Sequence, residues 1–170
     1  MPTRCSYGLI GRPLGHSFSP RYFSELFDRL GIDASYDSYE LQRIEELPEL
    51  LATHPSLRGL NVTLPYKREV LHYVDACSPE VERLQAANVL HIERTPSGKR
   101  HITAHNTDVW GFYHSLLPLL GEEHPHTWVF GTGGAASAVL YALEQLGISY
   151  EQVSRTPQSG QRSYESLTRE

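Results

Sequence analysis

The chain has 170 residues, 39% of them hydrophobic and 21% charged, which sets aside intrinsic disorder and fibrous repeats and leaves one domain or two small ones. Fifteen Lys and Arg against twenty Asp and Glu give a net charge of -5, and with no local basic patch this argues against nucleic acid or an anionic membrane as partner. Two cysteines, Cys5 and Cys77, make neither a disulfide framework nor a zinc site by themselves, and no apolar run approaches a signal-peptide core or a membrane span, so a soluble, cytoplasmic protein is expected.

Taken in chain order, Cys5 to Ile10 reads as a strand that ends in the Gly11-Arg12-Pro13-Leu14-Gly15 loop. A helix follows, with Ser19 as expected N-cap, Pro20 at its first position, Tyr22, Phe23, Leu26, Phe27 and Leu30 at helical spacing, and Gly31 closing it. Ser35 to Leu41 is expected as a strand, Ile44 to Ala52 as a helix, and Leu57 to Val62 as a third strand running into Thr63-Leu64-Pro65-Tyr66-Lys67. Arg68 to Val74 has helical spacing, and a further helix starts at Ser78-Pro79 with Glu80 and Glu82 at its positive end. Val89 to Glu93 and His101 to Ala104 flank the hairpin punctuation Thr95-Pro96-Ser97-Gly98. Asn106-Thr107-Asp108 caps a helix to about Leu117, limited by Pro118 and Gly121, before a linker-like His124-Pro125-His126.

The remainder reads as one βαβ unit: strand Thr127 to Phe130, helix Ala135 to Leu146, strand Ile148 to Val153. Between its first two elements, Gly131-Thr132-Gly133-Gly134-Ala135-Ala136 fits G-x-G-x-x-A, in the strand-to-helix context that lets backbone N-H groups meet a pyrophosphate. An acid for a ribose diol is missing at the end of the second strand, where Ser154-Arg155-Thr156 stand instead, and a guanidinium there suits a 2′-phosphate, which favours NADP. Glu151 falls inside the strand and reads as a sheet-face charge. Too few residues follow Val153 for a complete dinucleotide domain, and Tyr164 to Glu170 reads as a helix without a stop signal, so the sequence is expected to be cut from a longer protein, with the last strand lacking further strands beside it.

Three segments do not read as scaffold. Gly15-His16-Ser17-Phe18-Ser19-Pro20 sets two hydroxyls at a helix start, a place suited to a carboxylate; Asn61 to Lys67 lines an amide, a hydroxyl and an ammonium along a strand exit; and Asn106-Thr107-Asp108 sets an amide and a carboxylate at another helix start. The nine His lack a convincing metal-ligand set, so no metal is expected.

In this order the segments resemble the shikimate dehydrogenase family, over about Tyr7 to Thr156: the serine pair Ser17 and Ser19, N-V-T-x-P-x-K at Asn61 to Lys67, the Ala86-Ala87-Asn88 turn, N-T-D at Asn106 to Asp108, the Gly131 turn and Ser154-Arg155-Thr156. The resemblance implies an α/β fold, with a substrate-binding domain at 1–105 and a connecting helix with the first part of a Rossmann-type NADP-binding domain at 106–170, and an active site in the cleft between. It implies reversible, NADP-dependent reduction of 3-dehydroshikimate to shikimate in aromatic amino-acid biosynthesis. Lys67 and Asp108 would be catalytic, Lys67 as acid and base and Asp108 orienting it; Ser17, Ser19, Thr63, Asn88 and Asn106 would bind substrate; Gly131, Gly133, Gly134, Ala135, Ser154, Arg155 and Thr156 would bind NADP. A small-molecule substrate is the implied partner, and a homodimer is left open. The family's C-terminal glutamine and tyrosine, and the final helices that pack back onto the substrate domain, are not among the 170 residues, and Ser154 stands where Asn is usual. Alternatives are a quinate/shikimate dehydrogenase using NAD, which would want an acid near Ser154, a methylene-tetrahydrofolate dehydrogenase, disfavoured by the serine pair and N-T-D, and a non-catalytic shikimate-binding module.

Overall fold

The computed structural model describes residues 4–95, 97–121 and 125–169, so Pro96 of the hairpin turn, His124 of the linker and Glu170 lie outside the described residues. The chain divides into two compact units, Met1–Asn106 and Thr107–Glu170. Among the described residues no helix is long and apolar enough to cross a membrane.

The first unit contains β1 (Cys5–Gly11), α1 (Ser19–Leu30), β2 (Ala34–Glu40), α2 (Leu47–Thr53), β3 (Leu57–Val62), β4 (Ala76–Cys77), α3 (Pro79–Leu84), β5 (Val89–Arg94) and β6 (Arg100–His105), with 3-10 turns at Ile44–Glu46 and Glu69–Tyr73. One mixed sheet runs in the order β2-β1-β3-β5-β6-β4. β1 pairs in parallel with β2 and with β3, and the parallel pairs are joined by the crossovers that α1 and α2 supply. From β3 onward the sheet turns antiparallel through β5 and β6, a hairpin joined at the expected turn.

Strand alternation sends neighbours to opposite faces, so Ile10 goes to one core and Leu9 to another. The larger core joins Ile10, Leu60, Leu90, Ile92 and Ile102 to Leu47, Leu51 and Val81. On the other face Leu9 and Tyr36 meet Tyr7, Phe23 and Phe27. Phe23 and Phe27, four residues apart, are the stripe that holds α1 down, although none of its residues is fully buried.

Two helix ends differ from expectation. At α1 the N-cap is Phe18 and Ser19 is already helical, with no side-chain cap; the Ser19 N-H donates instead to Ser17 Oγ at 3.3 Å. Gly31 closes the helix at φ 65°, a left-handed position that glycine adopts without strain. In the second unit, α4 (Asp108–Leu120) runs through Pro118 to Gly121. Proline removes one helical hydrogen bond, but Leu116 and Leu120 pack on either side of it against Val129, Leu143 and Ile148, and that burial carries the last turn.

β7 (Thr127–Phe130), α5 (Gly134–Gln145) and β8 (Tyr150–Ser154) form the expected βαβ unit, with β8 parallel to β7. The expected isolation of the second strand is corrected: β9 (Gln161–Ser163) lies beside β8, also parallel, and the sheet order is β7-β8-β9. Residues 155–160 alone make this connection, where a doubly wound sheet ordinarily has a helix. A 3-10 helix at Tyr164–Arg169 follows, in place of an α-helix.

Candidate active site

Within the first unit the candidate residues collect at one end of the sheet, where β1, β3 and β6 leave and β5 enters. The loops there are sewn together by backbone hydrogen bonds: Thr63 N-H to Ile10 C=O (2.9 Å), Arg12 N-H to Leu64 C=O (2.9 Å), Ala87 N-H to Lys67 C=O (2.7 Å) and Asn88 N-H to His105 C=O (3.0 Å). Thr63 and Lys67 on the β3 exit are thereby fixed against the exit of β1 and against the turn that carries Asn88. Both X-Pro bonds of these loops, Arg12-Pro13 and Leu64-Pro65, are cis. Tyr66 is buried and donates to Leu41 C=O at 2.7 Å, so the residues on either side of it have a fixed base.

Ser17 and Ser19 stand at the start of α1, both half-buried. Ser17 Oγ accepts the Ser19 N-H, which leaves the Ser17 proton able to donate. Asn106 is 6% exposed and its Nδ2 donates to Ala86 C=O at 2.9 Å, so this amide braces the Ala86-Ala87-Asn88 turn from below. Asp108 is the first residue of α4, in the second unit.

One polar residue of this region has no sequence signal. Tyr36 of β2 donates to Asn61 Oδ1 at 2.7 Å, and its ring stacks on Phe23 with centroids 4.6 Å apart. Burial pushes its phenol well above the ordinary tyrosine value.

In the second unit the Gly-rich turn has the geometry of a phosphate cradle. Gly131 has φ 112°, a region closed to most side chains, Gly133 is the extended N-cap of α5, and Gly134 and Ala135 open the helix. A Cβ placed on Gly131 or Gly133 would meet nothing within 4 Å, so the space over the turn is open to a ligand, beside the N-H groups of a twelve-residue helix. At the end of β8, Ser154 is buried and its Oγ accepts the Thr156 N-H at 3.2 Å, which leaves its own proton to donate, while Arg155 and Thr156 are exposed. These donors fit a dinucleotide phosphate.

β9 adds residues that the sequence reading missed. A cleft of about 520 Å³ is lined by Arg155, Pro157, Ser163, Tyr164 and Glu165, and the Tyr164 ring lies 5.7 Å from that of Phe130. Glu151 is engaged within the sheet by Arg162 of β9 (Nη2 to Oε1, 3.2 Å), with His126 3.5 Å away. Among the described residues no cluster of His, Cys, Asp or Glu could hold a metal ion.

Residues 9–90 match the family model for the shikimate dehydrogenase substrate binding domain. Those residues belong to the family of shikimate dehydrogenase substrate binding domains. A shikimate dehydrogenase (NADP(+)) of Oleidesulfovibrio alaskensis is 40% identical over 144 residues, which cover 84% of this chain and 49% of that relative. The solved shikimate dehydrogenase of Thermus thermophilus, in complex with NADP(H) and shikimate, superposes with a TM-score of 0.78 at 30% identity, covering 94% of this chain and 62% of that one. Quinate dehydrogenase of Corynebacterium glutamicum, in complex with NAD, gives 0.78 at 29% identity, with 89% and 55% covered. The chain thus spans about half the length of the curated relatives it matches, and the expected α/β class, a substrate-binding domain followed by Rossmann-type elements, is the one these structures share.

Proposed function

We propose that the chain carries the substrate-binding domain and the opening of the cofactor-binding domain of an enzyme that reduces 3-dehydroshikimate to shikimate with NADPH. The observation that carries this reading is the gathering of Ser17, Ser19, Thr63, Lys67 and Asn88 at one end of the first sheet, in a chain whose residues 9–90 match the substrate-binding domain of that family.

When bound, NADPH supplies the hydride that turns a ring ketone into an alkoxide. Lys67 gives the proton that the new oxygen needs and takes it back in the oxidative direction. Ser17 and Ser19 hold the substrate carboxylate by hydroxyl donation, a charge-assisted bond stronger than one to a neutral group. Thr63, Asn88 and Asn106 pair with ring hydroxyls, and Asp108 supplies the second catalytic group, a carboxylate accepting from a hydroxyl. A site that pairs each hydroxyl rejects analogues lacking one, because its own polar groups are then left unsatisfied. Gly131, Gly133, Gly134 and Ala135 take the pyrophosphate, and Ser154, Arg155 and Thr156 take the 2′-phosphate.

One observation favours the NAD alternative at the adenosine end. Glu165 shares the cleft with Arg155, and a carboxylate there suits a ribose diol and repels a phosphate. The test is an assay of the purified protein with shikimate or quinate and NADP or NAD, read by the absorbance of the reduced nicotinamide. Shikimate with NADP is expected to be the fastest pair; faster turnover with NAD transfers the assignment to the alternative, and no shikimate binding at all sinks both.

A further inference from the structure

The face of the first sheet that carries α1 holds a cleft of about 450 Å³, and none of the candidate substrate residues lines it. Its walls are rings. Tyr7 of β1 and Phe27 of α1 stand 5.7 Å apart between centroids, and Phe23 stacks on Tyr36 at 4.6 Å. Gly59 of β3 forms the floor, where a Cβ would lie 3.2 Å from Tyr7 Cδ1, so the glycine leaves open the space that a side chain would fill.

Polar groups reach this apolar space, and a register shift supplies the first of them. β1 pairs Ser6 with Leu57 but Tyr7 with Gly59, which leaves Arg58 as an extra residue on β3. Leu57 and Leu60 both enter the larger core, which plain alternation forbids, so the bulge brings Arg58 together with Gly59 to the α1 face. His91, opposite Gly59 on β5, also lines the cleft. Asn61 completes the set: its Oδ1 accepts the Tyr36 phenol proton at 2.7 Å, which fixes the amide and leaves Nδ2 uncommitted. Among the described residues, the side chains of Arg58 and His91 have neither a hydrogen bond nor an ion pair. No acidic residue lines the cleft, in a chain whose net charge is -5.

We propose that this cleft is a binding site for an aromatic carboxylate other than the substrate, with its ring among Tyr7, Phe23 and Phe27 and its anion on Arg58 beside His91. Mostly apolar walls with a few placed polar groups are the usual make-up of a small-molecule site. Ring against ring gains from edge and offset contacts beyond the area covered, so an aromatic body is preferred to an aliphatic one. A guanidinium fork matches two carboxylate oxygens, and the apolar surroundings strengthen the bond. Asn61 Nδ2 is left for a further oxygen on the ligand. An aromatic amino acid fits less well, because its ammonium would enter a cleft that already holds a cation and offers no carboxylate to meet it.

The experiment titrates the purified chain with 3-phenylpropanoate, with 3-phenylpropan-1-ol, which lacks the anion, and with L-phenylalanine, which adds an ammonium. Binding is read by calorimetry and by the NMR shifts of the Ile32 and Val89 methyl groups, which line the cleft. The acid is expected to bind and to shift both sets of methyl signals, with the alcohol and the amino acid weaker by about tenfold or more. Arg58→Gln is expected to weaken the acid by about tenfold or more and to leave the alcohol unchanged, whereas Phe27→Leu weakens both by about 2- to 10-fold. His91→Gln, at an exposed position, is expected to lower the affinity of the acid alone and keeps the test open if Arg58→Gln folds poorly. Shikimate at the same concentration should leave the probe in place. The proposal is overturned by absence of binding, by equal losses for acid and alcohol in Arg58→Gln, or by displacement of the probe with shikimate. Methyl shifts that follow protein concentration instead of the probe overturn it too, and assign the cleft to a second copy of the chain.

Discussion

A Cβ placed on Gly11 would lie 2.3 Å from Thr63 Cγ2 and 2.9 Å from the Leu64 carbonyl oxygen, so the last residue of β1 is a glycine because Thr63 occupies the space beside it. The contact couples a strand residue to a candidate substrate-binding hydroxyl: anything larger at 11 pushes the β3 exit away. Gly11→Ala is expected to destabilise the first unit by about 1–3 kcal/mol, the usual cost of overpacking, and to weaken shikimate binding through displaced Thr63. Urea denaturation and ligand titration of the same variant check both halves. A variant as stable as the parent and binding as tightly shows that the loop absorbs a methyl group without moving Thr63.

Lys67 is expected to matter for the rate and less for affinity. In the intact protein Lys67→Ala should lower NADP-linked turnover by about 10²- to 10⁴-fold, the range for a positioned acid and base, with a smaller change in KM. Steady-state kinetics on the purified variant decide the matter, and near-normal turnover removes Lys67 from the chemistry. Asp108→Asn is expected to lower turnover in the same assay.

Much of this site lay open in the sequence because its signals are local. Ser17 and Ser19, Asn61 to Lys67 and the Gly131 turn are short strings whose chemistry can be read without knowing what lies across the sheet. β9 was hidden for the opposite reason: Gln161, Arg162 and Ser163 are polar, and three residues show no alternation, so only pairing with Gln152, Val153 and Ser154 makes them a strand. Tyr36 was hidden because its partners, Phe23 and Asn61, stand far from it in sequence on either side. Pro118 misled in the ordinary way, as a local stop signal overridden by the burial of Leu116 and Leu120.

Arg155 and Glu165 line one cleft with opposite charge, and the proposed reading has them set the cofactor preference. Arg155→Ala is expected to weaken NADP binding about tenfold or more and to leave NAD nearly unchanged, because only NADP carries the phosphate that a guanidinium fork grips. Glu165→Gln removes the carboxylate that shares the cleft with Arg155 and is expected to shift the NADP to NAD ratio the other way. Equal losses with both dinucleotides on Arg155→Ala would mean that the side chain is structural.

Alkaline pH offers a test of Tyr36 that needs no ligand. Its phenol ionises above the ordinary value of 10.0 in the folded chain because burial opposes the charge, whereas the unfolded chain releases that proton near 10.0. The folded state thus holds the proton longer, its stabilising share is whole below pH 10.0, and it is lost as pH rises beyond that value. Tyr39 and Tyr66 are pushed in the same direction, also by burial first. Stability measured by urea is expected to fall on the alkaline side, less steeply in Tyr36→Phe than in the parent, and identical slopes would show that the Tyr36 hydroxyl is not shielded as the structure has it.

β9 gives the last prediction, since it is a three-residue strand that two side chains on its neighbours hold in place. Arg162 reaches Glu151 on β8 and lies over the Trp128 ring of β7, 5.9 Å from its centroid, so a single side chain spans the whole three-stranded sheet. Gln161 Nε2 adds a bond to Gln152 Oε1 at 2.8 Å. Arg162→Ala removes the ion pair, uncovers Trp128 and leaves the Glu151 carboxylate, 32% exposed, with His126 beside it. Both side chains of the pair are about a third exposed, so solvent screens part of the loss and the global cost is expected to be only about 1 kcal/mol. Locally the effect is larger, because an edge strand this short has little else to keep it paired. Amide exchange at Gln161 to Ser163 should accelerate about tenfold or more while that of α5 stays near its original rate, and because Ser163 and Tyr164 line the cleft beside Arg155, binding of NADP should weaken in step with the exchange. Unchanged exchange in β9 would show that its backbone pairing to β8 suffices without the arginine.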